Sequence, residues 1–227
     1  MTAALAIVAA WMAGAYLVGS VPFGWIIGKA RGVDIRRLGS RNIGATNCGR
    51  VCGWPYGIAA FLLDTAKGFG PTLAAVVWLP EMIEFSDEHR RWLAVVLVAA
   101  QAIVGHLFPV WLGFKGGKAV ATSLGVLLAL PMLRWVALAA FGVWLVVTGV
   151  TRYVSVGSTV AALAFMGLYL WFDRETAWGD HLAVTVFAFH VVGLVILRHR
   201  SNYARLLKGT ENPLWGKKKV EEKPPEA

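Results

Sequence analysis

The stretch from Arg36 to Arg50, RRLGSRNIGATNCGR, gathers glycine, hydroxyl, amide and guanidinium groups in a chain that is otherwise apolar. Glycines allow a backbone to approach a ligand closely and to adopt left-handed conformations. Polar side chains lie at Ser40, Asn42, Thr46 and Asn47, and the planar fork of Arg50 suits a phosphate group. This composition indicates a phosphate-binding loop, although an ordinary basic loop with glycines at its turns has the same composition.

A second basic, glycine-rich stretch, GFKGGKAVAT, places Gly116 and Gly117 between Lys115 and Lys118. It is not a nucleotide-binding P-loop, because its spacing is one residue short and Ala119 stands where Ser or Thr would bind magnesium. Two glycines at the start of a helix still offer free backbone N–H groups to a phosphate, and the lysines offer positive charge. The alternative is a turn before a helix, with lysines that extend toward the membrane surface.

A third polar stretch, RHRSNYARLLKGTE, spaces His199, Asn202 and Arg205 three residues apart. Residues at this spacing share one face of a helix. The sequence therefore predicts a polar helix face near the membrane, for which a simple basic anchor is the alternative.

Polar side chains also occur within the apolar segments. Asp64 and Lys67 are three residues apart on one helix face, where an unpaired charge costs about 2.5 to 3.5 kcal/mol. We expect them to pair with each other or to line a polar site. Ser155 and Ser158 lie at the start of a later apolar segment and fit either a helix cap or a site. His106 lies near a helix end, and we interpret it as a structural histidine.

The elements that carry these residues are membrane-spanning helices. The 227 residues are 57% hydrophobic and only 15% charged, which indicates an all-α, polytopic integral membrane protein. About 20 apolar residues cross the hydrocarbon core, and about seven helices are predicted, at residues 3–27, 54–79, 92–112, 119–132, 135–151, 156–172 and 181–197. Pro131 and Arg134 divide the region 119–151 into two short helices, which form either two full spans or a re-entrant hairpin.

The distribution of charge predicts the topology. Most of the 22 lysines and arginines fall in segments 28–53, 113–118, 152–155 and 198–227, so the positive-inside rule puts these segments in the cytoplasm. The N-terminus is then outside, the C-terminus is cytoplasmic, and the three polar stretches share the cytoplasmic side. Residues 1–216 form the membrane domain, and the charged residues 217–227 are predicted to be a disordered tail. Because this topology accounts for the net charge of +9, the charge does not indicate nucleic-acid binding.

With these stretches in the family's order, the sequence closely resembles the bacterial acyl-phosphate:glycerol-3-phosphate acyltransferases. The resemblance covers nearly the whole chain up to Trp215, through GSVPFG, GSRNIGATN, LDTAKG, GHLFPVWLGFKGGKAVAT and HRSNYARLLKGTE. It implies a seven-helix enzyme of the bacterial cytoplasmic (inner) membrane, with an active site that faces the cytoplasm. Arg41, Ala119 and Arg200 stand where the family usually has Gly, Gly and Lys.

The resemblance also implies the reaction and the roles of residues. The family transfers a fatty acyl group from acyl phosphate to the 1-hydroxyl of glycerol 3-phosphate, which releases phosphate and lysophosphatidic acid. By resemblance, its three motifs contain Ser40 and Arg50; Lys115, Gly116, Gly117 and Lys118; and His199, Asn202 and Glu211. We assign catalytic roles to Ser40, Arg50, Lys118, His199 and Asn202. We expect substrate binding by Asn42, Thr46, Asn47, Lys115, Gly116, Gly117, Ser155, Ser158, Arg205, Glu211, Asp64 and Lys67.

These side chains suit that chemistry. An acyl phosphate is already activated, so the enzyme mainly has to align a hydroxyl with a carbonyl and neutralise two phosphates. The chain has no Gly-x-Ser-x-Gly motif, and none of its five histidines has an aspartate five positions later. We therefore predict direct attack without an acyl-enzyme. The residues leave open whether His199 or the donor's own phosphate accepts the hydroxyl proton.

We expect the fatty chain to enter sideways from the bilayer and glycerol 3-phosphate to enter from the cytoplasm. We expect a monomer in contact with membrane lipids, with no cofactor, no bound metal and no nucleic-acid partner. The sequence leaves the preferred acyl chain length open. The rival interpretation is a transporter or channel for an anionic solute, which would carry polar groups toward both membrane faces.

The predicted topology is tested by tags in single loops. Tags at Ser86 and Thr176 should react with a membrane-impermeant reagent in intact cells, because their loops carry few of the cations. Tags near Gly39 and at the C-terminus should react only after the membrane is permeabilised. Labelling of the Gly39 tag in intact cells would overturn the topology and the cytoplasmic site.

Overall fold

The computed structural model describes residues 2–215, and over that range the chain is helical or irregular, without a strand. Its α-helices are α1 Thr2–Gly19, α2 Phe23–Ala30, α3 Ala45–Cys52, α4 Trp54–Met82, α5 Glu88–Leu107, α6 Val120–Ala129, α7 Arg134–Thr151, α8 Val154–Phe172, α9 Leu182–Arg198 and α10 Arg200–Leu207. The predicted all-α class is confirmed over these residues. The predicted tail, residues 217–227, lies outside them.

Within residues 2–215, four helical segments are long and apolar enough to cross a membrane: Ala3–Ala30, Glu88–Leu112, Arg134–Thr151 and Val154–Phe172. The pair α9 and α10, bent by 42°, makes a fifth if the two helices count as one span. A chain with this many long apolar helices is an integral membrane protein. The predicted total of seven spans and the orientation of the two termini stay predictions.

Prolines interrupt the helices at two places, one of which was predicted from the sequence. The first predicted span, residues 3–27, is divided into α1 and α2, because Pro22 lacks a backbone N–H and restricts the residue before it. Residues 119–151 separate into α6 and α7 around Pro131, as expected. Since α6 has 10 residues, it is about 15 Å long, half of the hydrocarbon thickness of about 30 Å. By itself α6 is too short for a full span, whereas α7 is long enough for one, and both predicted arrangements of residues 119–151 stay predictions.

Glycines set the closest helix contacts in the fold. A Cβ atom at Gly68 of α4 would overlap the Thr122 carbonyl oxygen of α6, and a Cβ atom at Gly125 of α6 would overlap the backbone of α4. Gly19 of α1 and Gly105 of α5 approach the facing backbones in the same way. Small residues at such crossings are typical of membrane helices, whose association depends on close packing.

A buried ion pair joins α4 to the break between α1 and α2. Lys67 Nζ lies 2.7 Å from Asp64 Oδ1 and donates a 2.7 Å hydrogen bond to the Val21 carbonyl oxygen. Both side chains are almost fully buried, where an unpaired charge is strongly unfavourable. The two residues therefore pair with each other, one of the two arrangements that the sequence predicts.

The crossing of α4 and α6 gives a stability prediction with a control on the same helix. Gly68→Ala should lower the apparent melting temperature of the purified protein, because overpacking of this kind costs about 1 to 3 kcal/mol or more. At Gly70 of α4 an added Cβ atom would meet nothing within 4 Å, so Gly70→Ala should leave stability equal or slightly higher. Equal melting temperatures for the two variants would contradict the close crossing.

Candidate active site

A cavity of about 420 Å³ lies among α3, α4, α6, α7, α8, α9 and α10. Polar side chains from all three sequence stretches gather at one end of it, and apolar side chains line the rest. The predicted site residues that line it are Ser40, Asn42, Thr46, Asn47, Arg50, Asp64, Lys118, Ser155, Ser158, His199, Asn202, Arg205 and Glu211. Stretches that lie far apart in the sequence thus form one site.

The first stretch is held in shape by Asn47. Its amide group donates hydrogen bonds to the carbonyl oxygens of Ile35, Leu38 and Asn42, and its Oδ1 accepts one from the Ser40 N–H at 2.8 Å. The side chain is 1% exposed. Because these contacts use its donors, Asn47 in this structure orders the loop and positions Ser40, rather than presenting its amide to a ligand.

The second stretch differs from the sequence prediction. The N–H groups of Gly116 and Gly117 donate to the carbonyl oxygens of Leu107 and His106 at 3.1 Å each, so the expectation that they are free for a phosphate is wrong. A Cβ atom at either glycine would overlap His106 or its backbone, which explains why glycine is needed there. Neither glycine lines the cavity, and Lys115 is exposed outside it.

Two departures from the family's usual glycines lie in left-handed backbone. Arg41 has φ of 59° and Ala119 has φ of 61°, a conformation that costs a non-glycine residue about 1 to 2 kcal/mol. A glycine would adopt either conformation without strain. Both loops therefore place a non-glycine residue in a backbone conformation that suits glycine, the residue that the resemblance leads us to expect there.

A chain of hydrogen bonds connects the second stretch to the third. Lys118 Nζ donates to Asn202 Oδ1 at 2.5 Å, and Asn202 Nδ2 donates to Glu211 Oε1 at 2.6 Å. Glu211 Oε2 accepts from Arg205 Nε at 2.6 Å. Arg50 of the first stretch donates to the carbonyl oxygens of Asn212 and Pro213, directly after Glu211. The chain brings three cations together around one carboxylate.

Burial and charge shift the protonation of two of these cations. Burial lowers the pKa of Lys118 to about 8, and the neighbouring Arg205 and Arg50 contribute to this lowering while Glu211 opposes it. Burial likewise lowers the pKa of Arg50, although a guanidinium stays charged at neutral pH. Lys118 is thus close to losing its charge under mildly alkaline conditions.

His199 presents a free ring nitrogen to the site. Its Nδ1 lies 2.7 Å from the Val195 carbonyl oxygen, and because a carbonyl can only accept, Nδ1 carries the proton. The Nε2 atom then has a lone pair. His199 is 1% exposed to solvent and lines the cavity, so this lone pair is available to a bound molecule.

Buried hydroxyl groups line the cavity beside the charged residues. Ser158 accepts a hydrogen bond from Trp144 Nε1 at 3.1 Å. Within the described residues, the hydroxyl groups of Ser155 and Ser123 have no hydrogen-bond partner. Ser155 was predicted from the sequence, whereas Ser123 was not. The one signal for Ser123 is a small polar side chain in the apolar helix α6.

Asp64 lines the cavity, whereas its partner Lys67 does not. Asp64 Oδ1 also lies 3.7 Å from His106 Nδ1, which in turn lies 3.2 Å from Thr122 Oγ1. His106 is buried, also lines the cavity, and accepts the Gly117 N–H through its carbonyl oxygen. The contacts of His106 agree with the structural role predicted for it. Lys67 contacts Asp64 and the Val21 carbonyl oxygen, so it stabilises Asp64 rather than a ligand.

The apolar part of the cavity was not foreseen from the sequence. It is lined by Phe61, Leu124, Leu127, Ala137, Ala140, Phe141, Trp144, Ala161, Ala162, Phe165, Val191, Val192 and Val195. Phe61 of α4 stacks on Phe141 of α7, which stacks on Trp144, with ring centroids 5.8 Å apart in each pair. Beside them, Ile58 is more than half exposed, so this wall of the cavity adjoins the outer surface of the helices.

Known proteins of one family are similar to this chain over most of its length. The model of the glycerol-3-phosphate acyltransferase family matches residues 9–209. A glycerol-3-phosphate acyltransferase of Anaeromyxobacter sp. is 44% identical over 88% of this chain and 93% of its own length. A glycerol-3-phosphate acyltransferase of Thermosynechococcus vestitus is 45% identical over 86% of this chain and 90% of its own length.

Two solved structures are also similar to this chain. Both are of PlsY, an integral membrane glycerol 3-phosphate acyltransferase. The glycerol 3-phosphate form has a TM-score of 0.78 and 39% identity, and covers 92% of this chain and 96% of that one. The lysophosphatidic acid form has a TM-score of 0.76 and 38% identity, over 91% and 94% of the two chains.

Proposed function

This chain belongs to the glycerol-3-phosphate acyltransferase family, and from that premise we propose that it uses acyl phosphate as the donor. The fatty acyl group passes to the 1-hydroxyl of glycerol 3-phosphate, which gives lysophosphatidic acid and phosphate. One observation carries the proposal: a cluster of Arg50, Lys118 and Arg205 around the single carboxylate of Glu211 is continuous with an apolar cavity. Such a site matches two phosphates and one fatty chain.

The proposed reaction is direct attack of the acceptor hydroxyl on the acyl carbonyl. Arg50 and Lys118 neutralise the phosphates, and Ser40 orients substrate through its hydroxyl group. The donor brings its own leaving group, so positioning and charge neutralisation provide most of the catalysis. The Nε2 lone pair of His199 supports this side chain as the proton acceptor, and the phosphate of the donor is the alternative. No acyl-enzyme is required.

The proposed orientation places the polar end of the cavity in the cytoplasm of a bacterial cell, at the inner membrane. Glycerol 3-phosphate then reaches the cations from water. The fatty chain enters sideways from the bilayer, past the wall that contains Ile58, Phe61 and Phe141. One chain supplies every side chain named in this site, which supports a functional monomer.

The shape of the cavity counts against the rival transport function. A transporter needs a path with polar groups toward both faces of the membrane. The polar residues of the three stretches gather at one end of this cavity, and the last lining residues of α6 and α8, Leu127 and Phe165, are apolar and buried. This arrangement suits a site that is entered and left from one side.

The donor and the role of Arg50 are tested in one assay with purified protein. Arg50→Ala should lose about 10- to 100-fold in activity, since a charge-assisted contact contributes about 1.5 to 3 kcal/mol. Arg50→Lys should recover only part of it, because a point charge cannot replace the bidentate fork. Lysophosphatidic acid should form from acyl phosphate and hardly at all from acyl-CoA.

Arg37→Ala is the matched control, because Arg37 is exposed and lies in the same stretch outside the cavity. Efficient use of acyl-CoA would refute the proposed donor. A kinetically competent acyl-Ser40 adduct would refute direct attack. A well-folded Arg50→Ala protein with unchanged kcat and KM would remove Arg50 from the site.

The lowered pKa of Lys118 predicts a pH dependence. Lys118 is charged below a pKa of about 8, so kcat/KM for glycerol 3-phosphate should be level below that pH and fall as pH rises through it. This parameter reports the groups of the free enzyme. Lys118→Arg should move the fall to higher pH even if its absolute rate is lower, and Lys208→Arg, an exposed substitution, should not move it. A fall at the same pH in Lys118→Arg would assign the titration to another group.

A further inference from the structure

The apolar part of the cavity ends at a closed floor. On the assumption that the proposed acyl-transfer function is correct, we propose that Phe165, supported by Tyr169, sets the upper limit of the acyl chain length that the enzyme accepts. Chain length is a property of the apolar part of the substrate, which cations and hydroxyl groups do not recognise. Phe165 lies two helical turns beyond Ser158 on α8, about 10 Å further along the helix axis.

The apolar part has a definite depth along the helices. On α8, cavity-lining residues run from Val154 at the polar end to Phe165 and no further, a rise of about 17 Å. On α9 and the residue that follows it, they run from His199 to Val191, a rise of about 12 Å. The two helices therefore place the end of the cavity at nearly the same level.

Buried residues of four helices lie at the deep end. The last lining residue is Leu127 on α6, Ala137 on α7, Phe165 on α8 and Val191 on α9, and each is buried. The side wall, in contrast, includes Ile58, which is 57% exposed. A fatty chain thus has an open side from which to enter and a closed end at which to stop.

The ring of Phe165 packs against Tyr169, on the side away from the polar end of the cavity. The two rings stack with a centroid distance of 6.3 Å and an interplanar angle of 8°. Tyr169 is 0% exposed, and its hydroxyl lies 2.8 Å from Thr185 Oγ1. Because Thr185 donates its own proton to the Ala177 carbonyl oxygen, the tyrosine donates to the threonine. These contacts fix Tyr169 across α8 and α9, so Phe165 cannot retreat to admit a longer chain.

Small residues face the same space from the neighbouring helix. Ala137 is the deepest lining residue of α7 and is 1% exposed. A larger side chain there would fill the end of the cavity, whereas truncation of Phe165 would extend it. Substitutions at Phe165 and Ala137 should therefore shift the chain-length limit in opposite directions. A general loss of stability would not produce opposite shifts.

The test is a competition between two acyl phosphates of different length in one reaction with glycerol 3-phosphate, with the lysophosphatidic acids counted by mass spectrometry. Burial of each methylene group changes affinity about fourfold. Phe165→Ala, or the milder Phe165→Leu, should raise the ratio of longer to shorter product, by up to about 16-fold when the two chains differ by two methylenes. Ala137→Leu should lower this ratio.

Phe172→Ala is the matched control, because Phe172 is on the same helix and 74% exposed; it should leave the ratio unchanged. An unchanged ratio in both Phe165 variants and in Ala137→Leu would overturn the proposal. Binding of lysophosphatidic acids of graded length, followed by thermal shift, tests the same floor without turnover. If acyl phosphate gave no product, the proposed donor would be wrong, and the order of these binding affinities would still confirm or refute the role of Phe165.

Discussion

The polar end of the cavity depends on the carboxylate of Glu211. It accepts hydrogen bonds from Asn202 and Arg205, and through Asn202 it reaches Lys118. Removal of the one acid from a partly buried group of cations would leave their charges uncompensated, which costs several kcal/mol. The segment that carries Glu211 is in turn held by Arg50, which donates to the Asn212 carbonyl oxygen. The Leu214 N–H of the same segment donates to the carbonyl oxygen of Arg152, just before α8. The Glu211 side chain and the backbone of the three residues after it therefore connect all three polar stretches with the start of α8.

The helix crossings decide where the substrate space lies. Gly68 and Gly125 bring α4 and α6 so close that no space remains between them. The cavity opens instead between these two helices and α7, α8 and α9, where Ala140 and Ala161 leave room. Because membrane helices gain little from hydrophobic association, this alternation of tight crossings and gaps has to be specified by residue size. The same feature that stabilises the fold thus positions the site.

Polar residues in an apolar chain were the most predictable part of the site, because a charge or hydroxyl in a membrane helix is unfavourable unless it has a partner or a function. Apolar cavity residues could not be predicted, since Phe165 and the exposed Phe172 look the same in the sequence, and only helix packing distinguishes them. Contacts with backbone carbonyl groups were also not predicted. Gly117 and Asn47 were expected to bind substrate, yet one contacts His106 and the other holds the first loop. Those roles depend on carbonyl groups from elsewhere in the fold.

The lowered pKa of Lys118 shows how the site is prepared for its proposed substrates. Burial disfavours the ammonium ion, and Arg205, Arg50 and Arg198 add repulsion that Glu211 only partly offsets. The fold therefore holds these cations together against their mutual repulsion, as is common where stability and function compete. A bound phosphate would supply the missing negative charge and relieve this repulsion. Because a half-buried site has a lower effective dielectric constant than water, the same cations attract a phosphate more strongly there than they would on an open surface.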